Sequence, residues 1–170
     1  MASRPAHSPL VRVRAAKARD LDALVELESQ VFATDRLSRR SLRRFLTSPT
    51  AVFLVAEGEG LAGTAIVLFR PGSQVARLYS IAVAPHMSGK GVAKRLLRAA
   101  ERAARQRGCD SMRLEVHETN HAAIARYRKQ GYDEFGRHRH YYDDGGDALR
   151  FHKKLVQRRS GLSTRVPRPS

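Results

Sequence analysis

Residues 75 to 107 contain the pattern that most restricts the fold, because a strand, a glycine-rich loop and a long helix follow one another directly. Val75 to Val83 has the apolar content of a strand, Pro85 begins a turn, and Gly91 to Arg107 has the apolar spacing of a helix. The loop between them reads Ser88-Gly89-Lys90-Gly91-Val92-Ala93. The first amide groups of a helix have no partner within it and lie at the positive end of its dipole. The order therefore predicts an α/β domain with an anion site where the helix begins.

The loop suits an anion because two of its residues carry no Cβ. Gly89 and Gly91 let the backbone approach a bound group closely, and Ala93 is the next small residue on that side. Three cations add positive charge nearby: Lys90, Lys94 and Arg95. The spacing matches neither a Walker loop nor a dinucleotide-binding fingerprint. Taken alone, the loop is also compatible with a tight turn before a helix.

The segment before this unit predicts two helices between strands. Leu10 to Arg14 alternates as a strand, and Asp20 is the predicted cap of a helix with an apolar stripe. Ser38 is placed to begin a second, short helix. Two apolar runs follow, and Gly58 and Gly60 between them predict a hairpin.

The segment after the long helix predicts one more helix and three more strands. Met112 to Val116 alternates as a strand, and Asn120 caps a helix that ends at Gly131. Two strands follow, near residues 132 to 138 and 148 to 155. The resulting order, β-α-α-β-β-β-α-β-α-β-β, predicts a mixed central sheet of about seven strands with helices on both faces.

The length and composition indicate one globular domain. The chain has 170 residues, 42% of them hydrophobic, and no apolar run long enough to span a bilayer. We predict a domain over residues 10 to 156, a flexible tail over 1 to 9, and a basic, disordered tail over 157 to 170. A single cysteine excludes an internal disulfide framework, and the first nine residues contain no hydrophobic signal region. Both features predict a cytoplasmic protein without a membrane partner, either monomer or dimer.

The charge balance is strongly basic. The 32 Lys and Arg residues outnumber the 16 Asp and Glu residues, which gives a net charge of +16. Such a field attracts polyanions, including nucleic acid, ribosomes and phosphate-rich cofactors. An alternative remains open: the cations are spread along the chain, so a high arginine content alone could produce the basic surface.

The second half of the chain resembles a known enzyme superfamily. Ile81-Ala82-Val83-Ala84-Pro85, the glycine loop and the long helix resemble the acetyl-CoA motif of the GNAT acetyltransferases. The run Leu114-Glu115-Val116-His117-Glu118-Thr119-Asn120, with the tyrosines at 127, 132, 141 and 142, resembles the RimI-type branch that acetylates ribosomal-protein N-termini. The resemblance is specific from Tyr79 to Leu155, and before that only the order of elements agrees. Ser88 departs from it, because the superfamily has Gln or Arg there.

The resemblance implies a GNAT fold, acetyl-CoA as co-substrate and a set of residues that bind it. In the superfamily the strands here ending near Val83 and starting near Ser111 separate to admit the pantetheine, and the Val83 amide holds the thioester oxygen. The implied acetyl-CoA-binding residues are Ile81, Ala82, Val83, Ser88, Gly89, Lys90, Gly91, Val92, Ala93, Lys94, Asn120 and Tyr127. No metal is expected, because the histidines lack the spacing of metal ligands.

The resemblance also assigns two catalytic residues, each with an ordinary structural alternative. Glu115 would be the base that acts through water, although a strand glutamate could instead pair with Arg113. Tyr127 would be the acid that protonates the leaving thiolate, although its helical spacing also fits a core tyrosine. His117 and Glu118 are reserve candidates for the base.

The acceptor side is assigned more loosely. Phe32, Tyr141 and Tyr142 are the implied substrate-binding residues. The predicted reaction is direct acetyl transfer, in a ternary complex, to the α-amino group of an acceptor protein or peptide, possibly ribosomal. Two alternatives stay open: a GNAT enzyme acting on a lysine side chain or a small-molecule amine, and a basic nucleic-acid-binding module without turnover.

Overall fold

The computed structural model describes residues 10 to 156, which form one mixed sheet with helices on both faces. The predictions for the two tails, 1 to 9 and 157 to 170, lie outside the described residues. Within the described part the predicted order is confirmed, with short 3₁₀ turns at Ala18–Asp20 and Pro85–Met87. The strands are β1 (Arg12–Ala15), β2 (Ala51–Gly58), β3 (Gly60–Leu68), β4 (Val75–Val83), β5 (Ser111–His117), β6 (Asp133–His138) and β7 (Ala148–Lys154). The α-helices are α1 (Leu21–Val31), α2 (Arg39–Thr47), α3 (Val92–Gln106) and α4 (His121–Lys129).

The sheet contains one parallel pair, and this pair opens at one end. The strand order is β1-β2-β3-β4-β5-β7-β6, and only β4 and β5 run parallel among the described strands. Their pairing begins with Val75 opposite Ser111 and ends with Leu78 opposite Leu114. Both strands continue beyond this point, to Val83 and His117. They therefore separate, as predicted, and leave an opening in the middle of the sheet.

The alternation of β2 and β3 sends apolar side chains to both faces of the sheet. Phe53, Val55 and Ile66 pack with Leu24 of α1 and Leu42 of α2 on one face. On the other face, α3 contributes a row of buried residues to the larger core cluster: Val92, Leu96, Leu97, Ala100 and Ala104. Helices thus cover both faces, which confirms the predicted layers.

Gly63 sets how closely α3 approaches the sheet. A Cβ at this position would lie 2.6 Å from the Ala82 carbonyl oxygen and 3.0 Å from Leu96 Cδ1. Only glycine fits, and the first turns of α3 can therefore sit directly over the end of β4. This contact fixes the glycine loop beside the opening between β4 and β5.

Two predicted helix caps are confirmed and one is wrong. Ser38 Oγ accepts the Ser41 amide at 3.1 Å, and Asn120 Oδ1 accepts the Ala123 amide at 3.2 Å. Asp20 precedes α1 but makes no cap bond to it. Its carboxylate instead accepts the Lys17 amide at 2.7 Å and pairs with Arg14 at 2.8 Å, and the Arg14 hydrogen bonds lower the pKa of Asp20 to about 2. The half-buried Arg14 guanidinium on β1 attracts this carboxylate more strongly than the helix amides do.

None of the helices α1 to α4 combines the length and the apolar content that a membrane crossing requires.

Candidate active site

A cleft of about 710 Å³ lies where β4 and β5 separate. The segment between α1 and α2 forms one wall, α4 contributes to another, and the loop between β6 and β7 lies across from them. Seven of the predicted site residues line this one cleft: Phe32, Ile81, Glu115, Asn120, Tyr127, Tyr141 and Tyr142.

Glu115 lines the cleft from β5, while the side chains of its neighbours Leu114 and Val116 are buried in the core. Its side chain is only 14% exposed, and its Oε2 accepts Arg77 Nε at 3.1 Å. Glu115 thus pairs with Arg77 and not with Arg113, which the sequence analysis gave as an alternative partner. Arg113 lies directly opposite Arg77 in the sheet and stacks over a phenylalanine ring instead. Two cations that face each other in a sheet repel, so Arg77 extends to the carboxylate of Glu115, two residues beyond Arg113 on β5.

Arg77 also connects the carboxylate to the loop between β6 and β7. Its second nitrogen donates to the Tyr141 hydroxyl at 2.9 Å, so one guanidinium contacts both Glu115 and Tyr141. The sequence analysis missed this residue. Its signal was that it is the only charged side chain in strand β4.

Tyr127 lies on α4 and is 4% exposed. Its ring packs against Tyr132 at 5.7 Å and Phe151 at 6.5 Å, measured between ring centroids. Burial raises the pKa of Tyr127 to about 12, so the phenol is neutral at physiological pH. Tyr127 therefore packs in the core and also lines the cleft, and its role as the acid stays a prediction.

His117 is held at both ring nitrogens. The Thr119 amide donates to Nδ1 at 3.1 Å, so Nδ1 is an acceptor and the ring proton is on Nε2. Nε2 lies 2.8 Å from Asp144 Oδ2, and the ring stacks on Tyr142 with centroids 4.8 Å apart. This reserve candidate for the base therefore anchors the Tyr142 loop.

Glu118 is also committed to that loop. Its Oε1 accepts the Asp147 amide at 3.2 Å, and its Oε2 pairs with Arg137 at 2.8 Å. Arg137 bridges to Asp147 as well, at 2.9 Å. Three residues were candidates for the catalytic base. His117 and Glu118 bond directly to the loop between β6 and β7, and Glu115 is the one that lines the cleft without doing so.

The side chains packed around residue 146 leave room only for glycine, and this predicts a stability effect. A Cβ there would lie 2.2 Å from His117 Nε2 and 2.9 Å from Asp144 Oδ1, two atoms already fixed by their mutual bond. We expect Gly146→Ala to lower the free energy of unfolding by about 1–3 kcal/mol, because the ring and loop must shift. Denaturant unfolding measures this change.

Gly136→Ala is the matched control for that substitution. Its Cβ would meet only Arg150 Cδ, at 3.7 Å, which is an ordinary contact. We expect it to stay within about 0.5 kcal/mol of the parent chain. Equal losses for both variants would show that the His117 contact does not constrain Gly146.

Glu28 is a second residue that the sequence analysis missed. It is 5% exposed, lines the cleft, and accepts the Leu37 amide through Oε2 at 3.0 Å. Burial raises the pKa of Glu28. It lies four residues after Leu24 on the buried side of α1, so a charged residue within an apolar stripe was the available signal. Its contact holds the segment that carries Phe32.

The glycine loop at the start of α3 presents a row of backbone amides. Gly89 and Gly91 have φ angles of +74° and +77°, which only glycine adopts readily. Within residues 10 to 156, the amides of residues 89 to 94 have no hydrogen-bond acceptor. Ser88 is one of the residues predicted to bind acetyl-CoA, and its amide is already used within the chain, because it donates to the Pro85 carbonyl at 3.2 Å. The side chains of Ala82, Val92 and Ala93 are buried, so only their backbone atoms can contact a ligand.

The register of β3 and β4 shows where the Val83 amide points. Ala84 donates to the Ala62 carbonyl at 2.8 Å, and Val83 lies opposite Gly63. Hydrogen-bonded and non-bonded pairs alternate in an antiparallel ladder, so the Val83 pair is non-bonded. Its amide therefore points away from β3, towards the opening between β4 and β5. The same alternation applies to Ile81.

Within the described residues, no group of three or more His, Cys, Asp and Glu side chains is arranged to hold a metal ion.

The sequence was compared with protein families and with known proteins, and it matches acetyltransferases in both. Residues 20 to 132 match the family model described as "Acetyltransferase (GNAT) family". The chain is 31% identical over 140 residues to a Bacillus subtilis protein named as a ribosomal protein bS18-alanine N-acetyltransferase, covering 81% of this chain and 91% of that one. It is 40% identical over 85 residues to the streptothricin acetyltransferase of Streptomyces lavendulae, covering 50% of this chain and 44% of that one.

A solved structure shares the same architecture over almost its whole length. The crystal structure of the ribosomal-protein-S18-alanine N-acetyltransferase from Escherichia coli superimposes with a TM-score of 0.79 and 25% identity, covering 90% of this chain and 99% of that one. The family match spans the glycine loop, Glu115 and Tyr127. The chain therefore belongs to the GNAT family and is an N-acetyltransferase of RimI-like type.

Proposed function

We propose that this enzyme transfers an acetyl group from acetyl-CoA directly to the α-amino group of a protein N-terminus, with a ribosomal protein as the acceptor. The observation that carries the proposal is the single cleft in which Glu115 and Tyr127 both lie, beside the opening between β4 and β5. The Bacillus subtilis and Escherichia coli proteins described above are named for alanine acetylation of a ribosomal protein, which supports this acceptor class.

Acetyltransferases of this family use acetyl-CoA, and the glycine loop fits its pyrophosphate. The amides of residues 89 to 94 would donate to the phosphate oxygens at the positive end of α3. Lys90 and Lys94 are exposed beside them and would add charge. The Val83 amide, which points into the opening, would donate to the thioester oxygen as negative charge develops there. Asn120 is already used as the cap of α4, and its place in the cleft wall allows a second contact to the ligand.

Glu115 would remove a proton from the acceptor amine through a water molecule. A free α-amine with pKa near ~8 is neutral in roughly one molecule in ten at pH 7, whereas a lysine amine near ~10.4 is neutral in roughly one in 2,500. This difference of about 250-fold favours an N-terminal amine when the only assistance is a single carboxylate.

Tyr127 would donate a hydrogen bond to the sulfur as the carbon–sulfur bond breaks. Its pKa of about 12 makes it a weaker acid than an ordinary phenol, so full proton transfer to a thiolate is uphill. The hydrogen bond stabilises the departing thiolate, and the proton follows as the product leaves.

Phe32, Tyr141 and Tyr142 would hold the acceptor. Phe32 lies in the segment between α1 and α2, and the tyrosines lie in the loop opposite. The loop is pre-arranged, because the Gly146 carbonyl accepts both tyrosine amides at 3.1 Å. An extended peptide would pass between these two walls with its amine towards Glu115.

A small-molecule amine is the second candidate acceptor, because of the identity to streptothricin acetyltransferase over half of the chain. The net charge of +16 would repel a cationic substrate at long range. The local charge differs: Asp35 from one wall contacts Asp143 from the other, and Asp144 is adjacent. A cationic amine would therefore meet carboxylates at this rim.

Thiol release from acetyl-CoA distinguishes these acceptors. The panel contains peptides beginning with alanine, the same peptides with blocked N-termini, polyamines and a streptothricin-class antibiotic. Turnover that requires a free N-terminus supports the proposal. Turnover only on the antibiotic or a polyamine would keep acetyl-CoA as the co-substrate and make a small-molecule amine the acceptor. If no member of the panel caused thiol release, both acceptor candidates would be overturned.

A further inference from the structure

The outer face of α3 carries a row of cations that the acetyl-transfer site does not explain. Between Gly60 and Cys109 the only acidic residue is Glu101, and it is 5% exposed and paired with Lys153 at 2.8 Å. The cations of the same stretch are Arg70, Arg77, Lys90, Lys94, Arg95, Arg98, Arg102, Arg105 and Arg107. The α3 basic face is defined here as its exposed residues Lys94, Arg95, Arg98 and Arg102.

The arrangement of this face is regular. Lys94, Arg98 and Arg102 are four residues apart, so they follow one another along one side of the helix at intervals of about 6 Å. Within residues 10 to 156 none of these three forms an ion pair. A regular row of unneutralised cations complements the regular row of phosphates along a nucleic acid strand.

The row does not serve the stability of the helix. The first turn of α3 contains no acidic residue, and its cations lie at the positive end of the helix dipole. Like charges four residues apart also repel each other. The glycine loop accounts for cations in the first turn only, since Arg98 and Arg102 lie in later turns. A polyanion bound along the helix accounts for the whole row.

The side chains beside the row decide which polyanion fits. A helix that lies on a membrane needs large apolar residues next to its cations, and the other positions of α3 that are not buried are Ala99, Ala103, Arg105 and Gln106. Binding of unpaired bases needs exposed aromatic rings, and α3 contains none. The face is therefore suited to the backbone of a double-helical nucleic acid, recognised by charge and shape.

We propose that the α3 basic face docks the enzyme onto double-stranded RNA next to its protein acceptor. The choice of RNA over DNA rests on the proposed function, because an acceptor within a ribosome is surrounded by folded RNA. The face lies on the α3 side of the sheet, whereas the segment between α1 and α2 that lines the cleft belongs to the other side. Docking thus leaves the acceptor cleft open.

The test compares two matched double variants in binding to a labelled RNA hairpin over 50 to 200 mM salt. Arg98→Gln with Arg102→Gln removes two exposed arginines from α3, and Arg40→Gln with Arg43→Gln removes two from the exposed side of α2. We expect the α3 pair to weaken binding at least tenfold and to reduce the slope of log K against log salt by about 2. We expect the α2 pair to stay within threefold of the parent chain, and acetylation of a short peptide to be unchanged in both.

Three results would overturn the proposal. Equal losses for the two pairs would show that net charge alone attracts RNA, and an unchanged α3 pair would place RNA elsewhere. Stronger binding to phosphatidylserine vesicles than to the hairpin would assign the face to lipid. The RNA-binding measurement does not depend on acetyl transfer. If the peptide panel ruled out an N-terminal acceptor while the α3 pair still weakened RNA binding, the docking face would stand and only the choice of ribosomal RNA would be lost.

Discussion

Glu115→Gln should lower kcat by about 10²–10³-fold while the affinity for acetyl-CoA stays close to that of the parent enzyme. The amide side chain keeps the shape of the carboxylate, and its oxygen can still accept the Arg77 hydrogen bond that lies at 3.1 Å. What it loses is the capacity to take a proton from the acceptor amine. The rise of the rate with pH should flatten accordingly. Steady-state kinetics across pH 6 to 9, with binding of acetyl-CoA measured separately, checks both effects.

Glu118→Gln is the matched control, because Glu118 was a reserve candidate for the same role. Its carboxylate holds the loop through Asp147 and Arg137, so the substitution should raise KM for the acceptor and preserve the pH dependence of kcat. The opposite pattern, with the pH profile lost in Glu118→Gln and kept in Glu115→Gln, would exchange their roles.

Tyr127→Phe should reduce kcat by about 10²-fold, with little change in the stability of the fold. The substitution removes only the hydroxyl and keeps the ring that packs against Tyr132 and Phe151. The pKa of about 12 has a consequence for the parent enzyme as well. A raised pKa means that the folded protein keeps this proton up to higher pH, so the hydroxyl remains a donor throughout pH 7 to 10. Titration of Tyr127 should therefore cause no fall in rate below about pH 11.

Tyr132→Phe separates catalysis from packing. Tyr132 is 1% exposed, neighbours Tyr127, and donates to Glu101 at 3.0 Å, but it does not line the cleft. Its loss should lower the free energy of unfolding by about 1–2 kcal/mol and leave kcat of the folded enzyme unchanged. If Tyr127→Phe behaved in the same way, with full activity in its folded fraction, Tyr127 would be a core tyrosine alone.

The fold was predictable because its signals are local. The alternation of Met112 to Val116, the apolar spacing after Gly91 and the caps at Ser38 and Asn120 each depend on a few neighbouring residues. The opening between β4 and β5 came from the family resemblance, and the register confirms it. The grouping of Glu115, Asn120 and Tyr127 was also available from the resemblance, since all three lie on one continuous run.

The parts of the site that were missed depend on contacts between distant segments. Arg77 reaches Glu115 across 38 residues of sequence and Tyr141 across 64, so no local pattern identifies it as the partner. Glu28 gains its hydrogen-bond partner only when the segment after α1 folds back and brings the Leu37 amide to its carboxylate. Asp20 has the composition of a cap, but Arg14 on the neighbouring strand attracts its carboxylate. Of these contacts, only the Arg77–Glu115 pair crosses between strands and follows from their register. The Glu28 and Asp20 contacts depend on how the segments next to α1 fold back on it.

Acetylation of a single peptide that contains both an N-terminal alanine and an internal lysine tests the central claim most directly. The peptide is incubated with the enzyme and acetyl-CoA, and fragmentation mass spectrometry then locates the acetyl group. The account predicts one acetyl group on the α-amino nitrogen, formed about 10²–10³-fold more slowly by Glu115→Gln. An acetyl group on the lysine nitrogen, or equal modification of both nitrogens, would contradict it.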